Sequence, residues 1–215
     1  MTENSFEARY DITKKSKLLK FYESNKILIF SFILSLIVAY FSINFYLDNK
    51  ENKRILLSDN YIKAKFYLEK GNKTDALNIL KEIFYSNDST YSTLSFFLIL
   101  DGNLITDDKQ ISNFYDHLLQ NNKFDDEIRN LLIYKKALFD SNFVSEAELL
   151  KTTKPLLNNE TLWKPHALIL LGDYFVSKGE NTKAIEFYQQ IFMIKGLNQN
   201  LYDQARSQLT AIANE

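Results

Sequence analysis

Hydrophobic and polar positions along this chain fall into two regimes. From Ile27 to Leu47 (ILIFSFILSLIVAYFSINFYL), twenty-one residues pass without one Asp, Glu, Lys, Arg, Gly or Pro. From Asp48 onward, apolar residues return at three- and four-residue spacing, the period of helices that bury one face. The first regime predicts a transmembrane helix. At about 1.5 Å per residue it reaches about 31 Å, close to a hydrocarbon layer of about 30 Å. A cleaved signal has an apolar region of only about 7 to 15 residues ending in small side chains. This stretch instead exits through Tyr40, Phe41, Phe45 and Tyr46, which suit the membrane–water boundary. Its length also speaks against the core helix of a soluble domain, since about 18 unbroken apolar residues suffice to span.

The second regime has no alternating strand runs and no Asn-Gly hairpin signal, so the fold class is all-α. Helices are predicted from Leu56 to Lys70, Ser89 to Leu100, Asp107 to Asn121, Asp125 to Ser141, Val144 to Leu157 and Thr161 to Lys178. Two further helices would start behind N-caps at Thr74 and Thr182, whose hydroxyls can accept orphan backbone N–H groups. The acidic starts Asp107-Asp108 and Asp125-Asp126-Glu127 complement the positive end of a helix dipole. Pro155 and Pro165 fall near helix ends, where proline is tolerated. A final helix, Gln199 to Ala213, would cover the last pair and turn Asp203, Arg206 and Gln208 outward. The expected division is a basic tail (1–26), the membrane helix (27–47), a helical linker (48–55) and a helical domain (56–215).

Two stretches of that domain match in layout: Gly71-Asn72-Lys73-Thr74-Asp75-Ala76-Leu77 and Gly179-Glu180-Asn181-Thr182-Lys183-Ala184-Ile185. They lie 108 residues apart, three steps of 36. The wider spacing is small, +3 aromatic, +7 Gly, +12 Ala, +16 large apolar and +19 apolar. The later unit supplies Gly172, Phe175, Gly179, Ala184, Tyr188 and Ile191, and the earlier one Ala64, Tyr67, Gly71, Ala76, Leu80 and Ile83. This resembles the tetratricopeptide repeat, whose period is about 34 residues. Lys63 departs from it where Leu is expected, and neither unit has the terminal Pro. The resemblance implies a tetratricopeptide-repeat-like helical solenoid of about four helix pairs plus a capping helix, with two degenerate pairs in the middle. Ala76 and Ala184 would sit at close helix crossings, while Tyr67, Phe175 and Tyr188 would be core and Trp163 would stand at a junction between units.

The whole layout is similar to the bacterial YfgM-like family, whose best-known member is an ancillary subunit of the SecYEG translocon. Its clearest local stretch is Phe21-Tyr22-Glu23-Ser24-Asn25-Lys26, leading into the apolar helix. The resemblance implies a single-pass protein of the bacterial inner membrane. Its C-terminal domain would be periplasmic and would meet translocon subunits, periplasmic chaperones or newly translocated clients.

Charge supports that orientation. Lys14, Lys15, Lys17, Lys20 and Lys26 precede the apolar helix closely, against Lys50, Lys53 and Arg54 after it, which favours a cytoplasmic N-terminus. Residues Asp11 to Tyr22 set Ile12, Leu18, Leu19 and Tyr22 among lysines, a pattern that could also lie on anionic lipid. A topogenic tail with no other role is the simpler reading. The net charge of −1, with no basic stripe, removes nucleic acid as a partner. Zero cysteines remove disulfides, thiol nucleophiles and thiolate metal sites.

No enzyme chemistry is expected. His117 and His166 are the only histidines and fall in different units, so no metal pair forms at helical spacing. The five glycines stand singly and make no phosphate loop. No catalytic residue, cofactor or metal is assigned. Asn72, Asn87 and Asn159 begin glycosylation-type triplets, as chance provides in an Asn-rich chain.

The function expected is a membrane-anchored protein–protein interaction module, because stacked helix pairs form a concave surface for peptides. The first-helix positions facing that concavity would be Tyr61, Lys65 and Leu68 in the first unit, and His166, Ile169, Asp173 and Val176 in the last. The competing expectations are a self-associating envelope scaffold for cell-wall or division machinery, and an assembly factor for a membrane enzyme.

Overall fold

A computed structural model describes residues 17–158 and 160–214. Most of the tail, including the start of the Asp11–Tyr22 stretch, lies outside the described residues, as does Asn159. Among the described residues every regular element is an α-helix. In order these are α1 (Lys17–Glu69), α2 (Lys73–Phe84), α3 (Ser89–Asp101), α4 (Asp108–Asn121), α5 (Asp126–Asp140), α6 (Glu146–Asn158), α7 (Lys164–Ser177), α8 (Asn181–Ile191) and α9 (Gln199–Ala213). By packing, the chain divides into Met1–Leu56 and Leu57–Glu215.

In the first unit, α1 contains the whole apolar stretch and begins earlier than Ile27, with one non-helical residue, Asn25 (φ −120°, ψ 16°). It is long and apolar enough to cross a membrane. Its large side chains stand outward, with Phe45 76% exposed, as a lipid-facing helix requires and a core helix does not allow. Two polar groups within the stretch are satisfied on the helix itself: Ser42 Oγ donates to the Val38 carbonyl at 2.8 Å and Asn44 Nδ2 to that of Tyr40 at 2.9 Å. Such internal pairing is what a hydrocarbon surrounding demands.

In the second unit, consecutive helices from α2 to α9 pack on one another, and α7 also touches α5 and α9. Four helices bury the same offsets of 0, 4 and 7: Ala76, Leu80 and Ile83 in α2; Ile111, Tyr115 and Leu118 in α4; Leu149, Thr153 and Leu156 in α6; Ala184, Tyr188 and Ile191 in α8. These sets follow one another at steps of 35, 38 and 35 residues. The helices before them agree in part. Offsets −1, 0 and +3 are buried as Ser95, Phe96 and Ile99 in α3, Lys136, Ala137 and Asp140 in α5, and Leu171, Gly172 and Phe175 in α7. Ala64 holds offset 0 in α1, with Lys63 exposed and Tyr67 only half-buried, so Tyr67 is not the core residue expected.

The turns explain how the pairs close. Gly71 (φ 76°) and Gly179 (φ 75°) occupy the left-handed region. Around them Asn72 N–H donates to the Tyr67 carbonyl and Glu180 N–H to that of Phe175, both at 2.9 Å, which is the Schellman closure of a helix. The turn after α3 repeats this with Asn103 (φ 46°) in the glycine's place, Leu104 N–H donating to the Ile99 carbonyl at 3.0 Å. Because the chain re-enters a helix so soon after each glycine, Thr74 and Thr182 lie inside α2 and α8 and cap neither. Asn72 caps α2, accepting from Asp75 N–H, and Glu180 precedes α8 without a side-chain cap.

Two other starts also shift. Val144 still belongs to the turn, its N–H on the Asp140 carbonyl at 3.0 Å. Ser145 and Glu148 then open α6 with a reciprocal capping box, Ser145 N–H donating to Glu148 Oε2 and Glu148 N–H to Ser145 Oγ. Thr161 lies before α7, which starts at Lys164 and places Pro165 in its first turn.

The buried residues form two clusters. One gathers Ala64, Leu80, Phe84, Phe96, Ile99, Phe114, Leu118 and Leu132 among others, and the second extends from Ala137 through Leu168, Phe175 and Tyr188 to Ile212. Helix α5 contributes Leu132 to the first and Ala137 to the second, so the boundary between clusters crosses this helix.

Candidate functional site

Helices α1 and α7 hold the positions expected to face a concave surface, and the structure treats them unequally. On α1, Tyr61 is half-buried with its ring 6.5 Å from Tyr91, while Lys65 is exposed and Leu68 half-buried. Burial, helped by Asp101, pushes the Tyr61 phenol up. On α7, His166 has its ring 5.4 Å from Trp163 and 5.7 Å from Tyr134 of α5. Trp163 stacks on Tyr134 at 5.5 Å, so it joins α5 to the start of α7. Burial holds the His166 imidazole below its usual range. Asp173 accepts a 2.5 Å hydrogen bond from the Tyr188 hydroxyl, and burial together with this bond pushes the Tyr188 phenol up. Val176 is half-buried. Ile169, only 6% exposed, packs in the second core cluster and offers little surface to a partner. Tyr61 sides with one cluster and Ile169 and Val176 with the other, so the two sets are not brought together.

A different feature is built from buried charge. Helix α5 carries Lys136 and Asp140 one turn apart, 8% and 2% exposed. Lys136 Nζ donates to Asp140 Oδ2 at 2.6 Å and to Ser112 Oγ of α4 at 2.8 Å, and pairs with Asp116 Oδ2 at 3.5 Å. The ammonium therefore makes two hydrogen bonds and one longer ion pair. Asp140 is served less fully, because Oδ1 is buried and accepts no hydrogen bond. Burial, helped by the Asp140 charge, pushes the neighbouring Tyr115 phenol up to about 12.

Lys136 and Asp140 form part of the floor of a cleft of about 610 Å³ whose walls are α4 and α6. Those two helices do not pack on each other, and neither do α2 and α4 or α6 and α8. In the equivalent gaps, side chains reach across. Phe84 of α2 stacks on Phe114 of α4 at 4.6 Å, and Lys183 of α8 reaches Glu146 of α6 at 2.9 Å. Ser145 hydrogen bonds hold the Glu148 carboxyl at the cleft rim below its usual range.

No family model, curated protein or solved structure matches the chain. Function is therefore argued from geometry. Among the described residues, no three His, Asp or Glu side chains gather as a metal ion would need. His117 sits apart from His166, its Nε2 3.0 Å from Asn87 Oδ1 and its ring against Phe84 and Tyr85. In the cleft, Lys136 is engaged by Asp140, Ser112 and Asp116.

Sequence reasoning missed Lys136 and Asp140 because an i, i+4 Lys–Asp pair is an ordinary solvated helix pair. A usable signal was present. Aligning α5 on α7 puts Lys136 at Leu171 and Asp140 at Phe175, both apolar core positions.

Proposed function

We propose that this chain is a membrane-anchored protein-interaction module. The observation that carries it is the recurrence of buried offsets 0, 4 and 7 through α2, α4, α6 and α8, on a chain whose α1 is apolar enough to span a bilayer. In this reading the segment 57–69 with α2, α3 with α4, α5 with α6 and α7 with α8 are four tetratricopeptide-like pairs, and α9 is the cap. Support for the cap is that α9 packs on both α7 and α8 through Ala205 and Ile212 while Asp203 and Arg206 stay exposed. Repeat arrays of this kind work by offering extended surfaces.

In this reading the domain is periplasmic and stands beside the Sec translocon, serving translocated proteins and chaperones, as the resemblance to the YfgM-like family implies. The basic residues ahead of the apolar helix support the same orientation. Crosslinking in intact membranes, followed by identification of what is attached to the segment after Leu47, tests the partner. Translocon subunits or periplasmic chaperones are expected. Copies of this chain, or cell-wall proteins alone, would replace this reading with an envelope scaffold.

A further inference from the structure

Helix α1 is longer at its start than a membrane span needs. Ile27–Leu47 already reaches about 31 Å, yet α1 begins at Lys17. Between the two parts stands Asn25 (φ −120°, ψ 16°), the one non-helical residue of α1. Its side-chain amide donates to the Phe21 carbonyl at 3.1 Å, so a side chain enters the hydrogen-bond ladder where the helix kinks. The break falls just ahead of Ile27, at the edge of the bilayer that the apolar stretch would cross. Residues 17–24 are thereby a separate helical piece next to that edge.

This piece has a face of its own. At about 3.6 residues per turn, Leu18, Leu19, Phe21 and Tyr22 fall on one side and Lys17, Lys20, Glu23 and Ser24 on the other. Phe21 and Tyr22 are 63% and 47% exposed, so the chain itself does not cover these two rings. A helix running straight on from the span would carry the four apolar positions out into water. Turned at Asn25 to lie along the bilayer surface, it sinks them into the boundary between headgroups and acyl chains.

Charge names the lipid. Between Lys14 and Lys26 the sequence has five lysines and one carboxylate, Glu23. A neutral headgroup layer offers these lysines no attraction, whereas an anionic one attracts each of them within a Debye length of the surface. The same lysines bias the orientation of the span. Orientation requires only their charge, and accounts for neither the apolar face nor the break at Asn25.

We propose that Lys17–Ser24 is an in-plane amphipathic helix that binds the anionic phospholipid of the leaflet in which the span begins. The inference rests on α1 spanning the bilayer and is independent of what the C-terminal domain holds.

The test uses the full-length protein, one copy per lipid nanodisc, with a nitroxide on a single introduced cysteine: Leu18→Cys on the apolar side, Ser24→Cys on the polar side, or Ile37→Cys within the span. Power-saturation EPR compares access of oxygen, which concentrates in lipid, with access of a neutral nickel chelate, which stays in water. In discs of phosphatidylglycerol mixed with phosphatidylcholine, the oxygen-to-chelate ratio is expected to be higher at L18C than at S24C. A helix running straight on reverses that order, since Ser24 is closer to Ile27, and would overturn the inference. The excess at L18C should fall in phosphatidylcholine alone, and also when K17E/K20E is added in the mixed discs. An excess that either change leaves intact would show apolar contact without recognition of charge, and would overturn the assignment to anionic lipid. A chelate-accessible I37C would overturn the span, and the inference with it.

Discussion

Tyr188 lies directly on Gly172: a Cβ built on the glycine would stand 2.4 Å from Cε1 of the ring. No Cβ atom tolerates that distance, so the approach of α7 to α8 depends on this glycine. The equivalent residues in the first pair are Ala64 and Leu80, both buried, a slightly larger residue facing a smaller one. Gly172→Ala should destabilise the domain by about 2–3 kcal/mol through overpacking. The double variant G172A/Y188L copies the Ala64–Leu80 arrangement and should recover part of that loss in denaturant unfolding. Strictly additive losses would contradict a direct clash.

Removing one partner of the buried pair should cost far more than removing both. Lys136→Ala strands Asp140, which is 2% exposed, and should lose about 3–5 kcal/mol. K136L/D140L should unfold within about 1 kcal/mol of the wild-type protein, or be more stable. Equal losses for the single and double variants would show that the pair stabilises the fold in its own right.

The left-handed turns predict opposite responses to small changes. Gly71→Ala and Gly179→Ala force a Cβ into the positive-φ region, where nothing else lies within 4 Å of it. Each should cost about 1–2 kcal/mol by backbone strain alone. Asn103→Gly relieves the same strain and should leave stability unchanged or raise it slightly. Thermal unfolding of the three variants checks the signs.

His166 gives the domain a pH dependence. Burial lowers its folded-state pKa, so between that value and the unfolded value of about 6.5 the unfolded chain binds more protons. Stability should therefore fall as pH drops from about 7.5 toward 5.5, and His166→Gln should flatten that slope. Glu148, also shifted downward, loses its contribution only as pH falls through the carboxylate range, below this window. An unchanged slope in the variant would assign the dependence elsewhere.

How much of this was legible in the sequence follows from where the repeat keeps its marks. The apolar helix needed only composition. The first and last pairs were legible because Gly71 and Gly179 mark identical turns and because Ala76 and Ala184 stand at a fixed distance behind them. The second pair hid its turn, since Asn103 does the work of glycine, and three extra residues before α4 broke the count. The third pair replaced the Leu171 and Phe175 positions with Lys136 and Asp140, so the residues that shape its cleft read as surface charge. Helix starts were misplaced by one to three residues: Asn72 caps α2 ahead of the expected Thr74, and Ser145, expected inside its helix, is the residue that caps α6. Ile169 was misassigned for a simpler reason. Nearly every face of α7 is covered, from Ala167 through Gly172, so helical phase alone does not separate groove from core.

Anchoring and sidedness are the centre of this account, and one measurement reaches both. The chain has no cysteine, so single cysteines can be introduced at Ser5 in the tail and at Lys195 in the exposed turn after α8. Cells opened only at the outer envelope are treated with a membrane-impermeant maleimide, and the membranes are then washed at alkaline pH. The account predicts that S5C stays protected until the inner membrane is lysed, that K195C is labelled at once, and that the protein remains in the alkaline pellet. Release by the wash, or labelling of S5C with protection of K195C, would contradict it.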